Sequence, residues 1–239
     1  MREFQGIDEA TSEKKVVAPL RLLELFSGTG SIGRAFEAQG WEVISVDTDP
    51  KAQATFRQDI SRWDCASLLG KKIDVIWASP PCTNYSALRK STEEDRLDSD
   101  ELVRRTLEIA ETLGNPPMFI ENPWTGKLKN RGLLDHLRLH KVDYCTYGMP
   151  YRKRTAIWTN TAWIPSRPLC KHDCASSRNG KHTARAQQGG PGPSFSQREL
   201  YRIPAELCDE IAEFCGGQAP GPISGYIQIF AVLGLPSGN

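Results

Sequence analysis

Three short motifs contain the residues whose types and spacing could do chemistry. The segment FSGTGSIG runs from Phe26 to Gly33, SPPCTNYS from Ser79 to Ser86, and IENP from Ile120 to Pro123. Each motif follows or overlaps the end of an apolar run that is typical of a buried strand. Because ligands of open α/β sheets bind beyond the carboxyl ends of the strands, we expect all three motifs to meet at one edge of one sheet.

The glycine-rich motif predicts a nucleotide-type ligand. Glycine lets a backbone approach a ligand closely at a strand-to-helix turn, and Asp47, which closes the second predicted strand, could bond ribose hydroxyls. The pattern fits a nicotinamide dinucleotide as well as S-adenosylmethionine. A glycine-rich turn without any ligand is a third interpretation.

The other two motifs offer a nucleophile and an acid. Cys82 follows two prolines in a stiff, polar loop, where a thiol is more typical of a nucleophile than of a structural core cysteine. Glu121 ends the next strand and could act as an acid at the same mouth. Considered alone, Glu121 and the Asn-Pro pair after it could equally cap a following helix.

Two cysteines and a histidine further along the chain could bind a metal ion. Cys170, Cys174 and His182 have spacings close to those of structural zinc sites, in a segment too short and polar to fold on its own. The fourth ligand would be His172 or Cys145. Scattered thiols in a basic loop are the alternative interpretation.

Alternating strands and helices must position these motifs. Strands are predicted at Leu22–Phe26, Glu42–Asp47, Ile73–Ala78, Met118–Glu121 and Thr155–Thr159. Helices are predicted up to Phe36, from Pro50, over Asp100–Leu113 and over Glu199–Cys215. Short apolar strands separated by helices indicate an α/β domain with a largely parallel sheet and helices on both faces.

Composition divides the chain into four predicted regions. Its 239 residues are 39% hydrophobic and 25% charged, with a mean hydropathy of −0.45. No run reaches the roughly 20 apolar residues of a membrane span, and the polar start lacks the apolar centre of a signal peptide. Together with an odd count of seven cysteines, these features predict an intracellular protein with reduced thiols. The regions are a flexible tail (1–18), a catalytic core (19–163), a small irregular basic insert (164–198) and a C-terminal helix and tail packed on the core (199–239).

Charge is distributed unevenly although the net charge is only +1. Residues 91–115 carry eight acidic and three basic side chains, whereas residues 141–202 carry eleven basic and three acidic ones. A basic stretch of this density could contact the phosphates of a nucleic acid. A solvated surface with uneven charge explains the same counts.

Taken in order, the motifs resemble the cytosine-5 DNA methyltransferase family. The matching pieces are FSGTGSIG, the acid of VISVD, the Asp-Ile pair, PPC, ENP and the arginine-bearing YRKRTAIW, over roughly residues 21 to 160. The resemblance implies a Rossmann-like fold that binds S-adenosylmethionine. It implies as catalytic residues Cys82, Glu121, Arg152 and Arg154, and as cofactor-binding residues Phe26, Ser27, Gly28, Thr29, Gly30, Asp47, Thr48, Asp59, Ile60 and Pro80.

The reaction implied by the resemblance is methyl transfer to C5 of a cytosine in double-stranded DNA. Cytosine C5 is a poor nucleophile, and addition of a thiolate to C6 makes it enamine-like. An acid at N3 stabilises the charge that develops, and the base must leave the duplex stack to be reached. Three alternatives stay open: a cytosine-5 tRNA methyltransferase with the same apparatus, a DNA-binding relative without activity, and a nicotinamide-dependent dehydrogenase, in which PPC and ENP would have no role.

Overall fold

The computed structural model describes residues 18–86, 90–186 and 193–217. Its strands are β1 (Arg21–Leu25), β2 (Glu42–Asp47), β3 (Phe56–Arg57), β4 (Val75–Ala78), β5 (Met118–Pro123), β6 (Arg138–Asp143), β7 (Arg154–Thr159), β8 (Ser177–Arg178) and β9 (Lys181–His182). Its helices are α1 (Ser31–Ala38), α2 (Glu93–Thr112), α3 (Gln197–Leu200) and α4 (Ala205–Gly217). The predicted N-terminal tail and the apolar C-terminal tail lie outside the described residues, apart from the last residue of the former.

The described strands form one seven-stranded sheet in the order β3-β2-β1-β4-β5-β7-β6 and one small hairpin, β8-β9. The strands from β3 to β5 run parallel, and β7 runs antiparallel to both of its neighbours. The chain order reverses between β1 and β4, and such a switch point is where open α/β sheets bind ligands. The predicted α/β fold, Rossmann-like with a mostly parallel sheet, is confirmed.

Two hydrophobic layers bury the two faces of the sheet. Successive side chains of a strand point to opposite faces, so Leu23 and Leu25 of β1 pack in the layer beneath α2, while Leu22 packs in the layer beneath α1 and α4. All three leucines are fully buried. In the described part of the chain the helices therefore cover both faces, which leaves the loops at the ends of the strands for a site.

Helix α2 begins at Glu93 rather than at the predicted Asp100. A capping box starts it: the Thr92 hydroxyl accepts from the Asp95 N–H at 3.1 Å, and the Thr92 N–H donates to the Asp95 carboxylate at 2.7 Å. The first two turns are too polar to show a helical period of apolar residues, which is why the pattern located only the second half of the helix.

The predicted helix Glu199–Cys215 is divided in two by Pro204. Proline has no N–H to donate within a helix, but its fixed φ suits the start of one, so α3 ends at Leu200 and α4 begins directly after the proline. Within the described part of the chain, no helix is long and apolar enough to cross a membrane.

Candidate active site

The glycine-rich loop between β1 and α1 is held against the end of β2. Gly28 and Gly30 have φ of +50° and +64°, a region that favours glycine, and Phe26 adopts the same left-handed region at φ +56°. The Asp47 carboxylate accepts from the Gly28 N–H at 2.8 Å and, through its other oxygen, from the Asp49 N–H at 2.7 Å. The sequence therefore builds a braced loop, in which Asp47 joins the backbone after β1 to the backbone after β2.

The third glycine of the motif is required by packing. A Cβ on Gly33 would lie 2.6 Å from the carboxylate of Glu24, which lies on β1 with only 3% of its surface exposed. Burial raises the pKa of Glu24 to about 7, against the lowering effect of the Gly33 N–H. Sequence reasoning missed Glu24, whose signal is a lone carboxylate inside an apolar strand.

A cavity of about 290 Å³ opens where the loops after β1, β2, β4 and β5 meet. Its volume is at the lower end of the range for small-molecule sites. The predicted site residues that line it are Phe26, Ser27, Gly28, Thr29, Asp47, Thr48, Pro80, Cys82 and Glu121. The predicted residues that do not line it are Gly30, Asp59, Ile60, Arg152 and Arg154.

The loop that carries Cys82 is fixed by hydrogen bonds on both sides. Before the cysteine, the Pro80 carbonyl accepts from Asn122 Nδ2 at 2.9 Å, which joins the PPC loop to the ENP strand end. After it, Asn84 Nδ2 donates to the Asp95 carbonyl at 2.8 Å, and the Tyr85 hydroxyl donates to Asp100 Oδ1 at 2.8 Å. Asn122 was not predicted as a site residue, and its contact explains why asparagine follows the glutamate.

Glu121 is buried beside the cavity and is held by a tyrosine. Its side chain is 7% exposed, and its Oε1 accepts from the hydroxyl of Tyr144 at 3.0 Å. Burial and the adjacent carboxyl of Glu121 hold the pKa of Tyr144 well above its usual value, so the tyrosine remains a donor. One glutamate oxygen is therefore engaged by the protein, and the other makes no hydrogen bond to the described residues.

Lys153 is the basic side chain among the residues that line this cavity. Burial raises the pKa of the Cys82 thiol, the Glu121 carboxyl raises it further, and the Lys153 ammonium lowers it. Lys153 lines the cavity together with Cys82. It was missed by the sequence analysis, which named Arg152 and Arg154 as the basic catalytic residues.

The structure does not bring Arg152 and Arg154 into the cavity. Arg154 donates from Nε and Nη2 to the two oxygens of Asp143 at 2.9 and 2.8 Å, and Arg152 Nε lies 3.4 Å from the same carboxylate. Neighbouring residues of an extended chain point to opposite sides, so two arginines on Asp143 leave Lys153 for the cavity. This alternation was the signal in the sequence that could have identified the lysine.

The predicted metal-ligand residues meet outside this cavity. The ligand atoms of Cys170, Cys174, His182 and Cys145 all lie within 4.8 Å of one another. Of the two candidates for a fourth ligand, Cys145 therefore belongs to the cluster, whereas His172 instead accepts from Arg152 Nη1 at 2.9 Å. Three of these ligands lie in a small lobe, residues 164–186, which also carries the exposed basic residues Arg178, Lys181 and Arg185.

A strand order that reverses beside a glycine loop, with a cysteine and a glutamate at the next two strand ends, defines a ligand-binding α/β protein with a candidate nucleophile and a candidate acid at its switch point. The family model for C-5 cytosine-specific DNA methylases matches residues 20–129. A probable DNA (cytosine-5)-methyltransferase of Frog virus 3 is 33% identical over 219 residues, which span 82% of this chain and 100% of the viral protein. The chain belongs to the C-5 cytosine-specific DNA methylase family.

Other relatives share a smaller part of the chain. The type II methyltransferase M.MspI of a Moraxella species is 27% identical over 111 residues, which are 43% of this chain and 26% of that enzyme. Among solved structures, the methyltransferase EhMeth of Entamoeba histolytica is 16% identical with a TM-score of 0.49, covering 64% of this chain and 57% of its own. Family membership confirms the predicted enzyme class and its cofactor, S-adenosylmethionine.

Proposed function

We propose that this enzyme methylates C5 of cytosine in double-stranded DNA, inside the cell, through a covalent bond between Cys82 and C6 of a base flipped out of the helix. The observation that carries the proposal is the shared cavity of Cys82, Glu121 and the glycine loop. A nucleophile, an acid and a nucleotide-type cradle in one cavity are what this reaction needs.

The residues of the cavity fit the cofactor. Ser27 Oγ is buried without a hydrogen-bond partner among the described residues, which leaves it available for a polar group of a ligand. Asp47 uses one lone pair of each oxygen for the backbone and keeps the others for ribose hydroxyls. S-adenosylmethionine supplies the methyl group on a positively charged sulfur.

Cys82 is proposed as the nucleophile. Its raised pKa keeps the thiol protonated in the free enzyme, and Lys153 is the group that favours the thiolate when the base arrives. The thiol loses its proton to water, the thiolate adds to C6, and the electron pair of the C5–C6 double bond becomes available at C5 for the methyl group, whose transfer releases S-adenosylhomocysteine as the neutral thioether. Loss of the C5 proton then expels the thiolate, so the cysteine is restored.

Glu121 is proposed to donate to N3 of the same base. Addition at C6 builds negative charge on the pyrimidine ring, and a proton at N3 neutralises it. Because Tyr144 holds Oε1, Oε2 is the oxygen that would face the base. A cytosine inside a duplex cannot lie between Cys82 and Glu121, so the proposal includes base flipping.

The small lobe is proposed to contact the DNA backbone. Arg178, Lys181 and Arg185 are exposed there, and phosphate contacts release counterions. Replacing all three with glutamine should weaken DNA binding and reduce the slope of log K against log salt by up to about 3, at roughly 0.9 per contact. S-adenosylmethionine affinity should stay unchanged. Unaltered DNA affinity of the triple variant would place the interface elsewhere.

A fluorinated substrate tests the covalent chemistry. Methyl transfer to 5-fluorocytosine leaves no C5 proton to remove, so the enzyme cannot expel the thiol. The wild type should form a denaturant-resistant adduct with fluorinated DNA only when S-adenosylmethionine is present, and Cys82→Ala should form none. Cys65→Ala, which removes another free cysteine, is the matched control and should form the adduct normally.

Two results would overturn the proposal. One is an adduct that mass spectrometry maps to a cysteine other than Cys82. The other is an adduct with fluorinated tRNA but not with DNA, which would assign the same apparatus to RNA. Glu121→Gln should form the adduct much more slowly than the wild type, because an amide cannot transfer a proton to N3.

A further inference from the structure

Three thiols and one imidazole converge where the small lobe, residues 164–186, folds back on the core. His182 Nε2 lies 3.3 Å from the sulfur of Cys174 and 3.5 Å from that of Cys170. Tetrahedral zinc, with bonds of about 2.3 Å to sulfur and 2.0–2.1 Å to nitrogen, separates two such ligands by about 3.5 Å. Three cysteines and one histidine are a donor set typical of structural zinc.

The backbone around the first lobe cysteine is shaped to support a thiolate. The N–H of His172 donates to the Cys170 sulfur at 3.2 Å, and His172 takes the left-handed φ of +68° that turns the chain around that sulfur. A donor directed at a sulfur stabilises its anionic form, and such contacts to ligand atoms are common in metal sites. This turn stores backbone strain that the surrounding structure must offset.

The small lobe has almost no hydrophobic core of its own. Of residues 164–186, only Cys170 and Ala184 are buried. Its only regular structure is the hairpin of β8 and β9, with two residues in each strand, and isolated hairpins of this kind are marginal in water. Apolar burial therefore cannot order the lobe, and small domains in this position depend on a cross-link.

We propose that Cys145, Cys170, Cys174 and His182 bind one Zn²⁺ ion, which fastens the small lobe to the end of the catalytic sheet. Cys145 belongs to the turn after β6, whereas the other three ligands belong to the lobe. Binding balances as the loss of one proton from each of three thiols, with the histidine neutral, to leave a site of net charge −1.

The proposed site is connected to the buried carboxylate that organises the β6–β7 turn. Asp143, which is fully buried, accepts from the Cys170 N–H at 3.1 Å as well as from Arg154. Arg152 lies beside the same carboxylate and donates to His172. The two arginines therefore join the metal site to the strand end next to Lys153. This gives them a positioning role that the family pattern did not suggest.

Metal content with a matched pair of histidine variants tests the proposal. Protein purified without added metal should contain about one zinc per chain by elemental analysis. His182→Gln and Cys145→Ser should each lose most of it, whereas His172→Gln, whose ring lies 5.0 Å from that of His182, should keep it. Cobalt substitution gives an independent readout, because Co²⁺ bound tetrahedrally by thiolates has strong visible absorption that His182→Gln should abolish.

The outcomes separate this proposal from the methylation chemistry. Wild-type protein that holds no zinc and takes up neither zinc nor cobalt on titration would overturn the metal site, whatever the fluorocytosine adduct shows. Equal zinc in His182→Gln and His172→Gln would overturn the ligand set. If the site is correct, chelation should expose residues 164–186 to trypsin and weaken DNA binding at least tenfold while S-adenosylmethionine binding persists. The DNA-binding readout alone depends on the proposed function.

Discussion

Removing the hydroxyl of Tyr144 isolates the contribution of one hydrogen bond to the proposed chemistry. The hydroxyl donates to Glu121 Oε1 at 3.0 Å, and both side chains are buried, at 0% and 7% exposure. As Glu121 gives its proton to N3 it becomes a carboxylate, and a hydrogen bond to a charged group contributes about 1.5–3 kcal/mol against about 1 kcal/mol for a neutral one. The difference of roughly 0.5–2 kcal/mol corresponds to roughly 2- to 30-fold in a rate. Tyr144→Phe leaves the ring in place, so it should slow methyl transfer by that factor without opening a large cavity.

The measurement is the single-turnover rate of methyl transfer from labelled S-adenosylmethionine, with the cofactor dissociation constant measured by calorimetry. We expect the rate to fall and the dissociation constant to stay within about twofold of the wild type, because Tyr144 does not line the cavity. Tyr147→Phe is the matched control, since its hydroxyl contacts Glu210 at 3.5 Å instead. Equal rates for Tyr144→Phe and the wild type would refute the argument that Glu121 needs this donor.

Three further variants test other parts of the cavity. Lys153→Met should raise the pH at which Cys82 is half alkylated, because the Lys153 ammonium lowers the pKa of that thiol. Peptide mass mapping measures the alkylation, and an unchanged midpoint would contradict this. Asp47→Ala should raise the cofactor dissociation constant roughly 10- to 150-fold by calorimetry, since it loses ribose bonds and frees Gly28; a wild-type constant would contradict it. In denaturant titrations, the unfolding free energy of Glu24→Gln minus that of the wild type should increase by about 3 kcal/mol as the pH rises from 4.5 to about 8. The carboxyl ionises near pH 4.5 in the unfolded chain but only at about 7 in the folded protein, so the wild type loses stability over this range and glutamine does not; a pH-independent difference would contradict this.

The residues at the strand ends could be predicted from the sequence because each belongs to a short motif after an apolar run, and because ligands of open α/β sheets bind beyond the carboxyl ends of the strands. Glu42–Asp47 was located at the observed bounds of β2, and Cys82 and Glu121 were expected at one mouth. β6 was missed, because RLHKVD is an edge strand whose first residues are exposed and carry little apolar alternation. Its absence from the prediction removed the turn that carries Cys145.

Contacts between distant segments could not be derived in the same way. The choice between Cys145 and His172 as a metal ligand depends on how the β6–β7 turn meets the lobe. The role of Lys153 depends on the alternation of side chains along the extended chain. The YRKRTAIW motif was matched by residue type, which favoured Arg152 and Arg154. Tyr144 has no signal in its own neighbourhood, because its partner Glu121 lies on another strand.

Because hydrogen bonds hold the Cys82 loop both before and after the cysteine, the loop affects which partner moves during the proposed reaction. Asn122 holds the loop before the cysteine, and Tyr85 holds it afterwards through Asp100, which in turn is clamped by Arg131 at 2.6 Å. The Cys82 thiol is therefore held close to one position before the substrate binds. Well-oriented intramolecular groups reach effective molarities of roughly 10⁵–10⁸ M. In the proposed mechanism the nucleophile is already positioned, so the base makes the larger movement, and binding energy from the proposed DNA contacts would be used to move it.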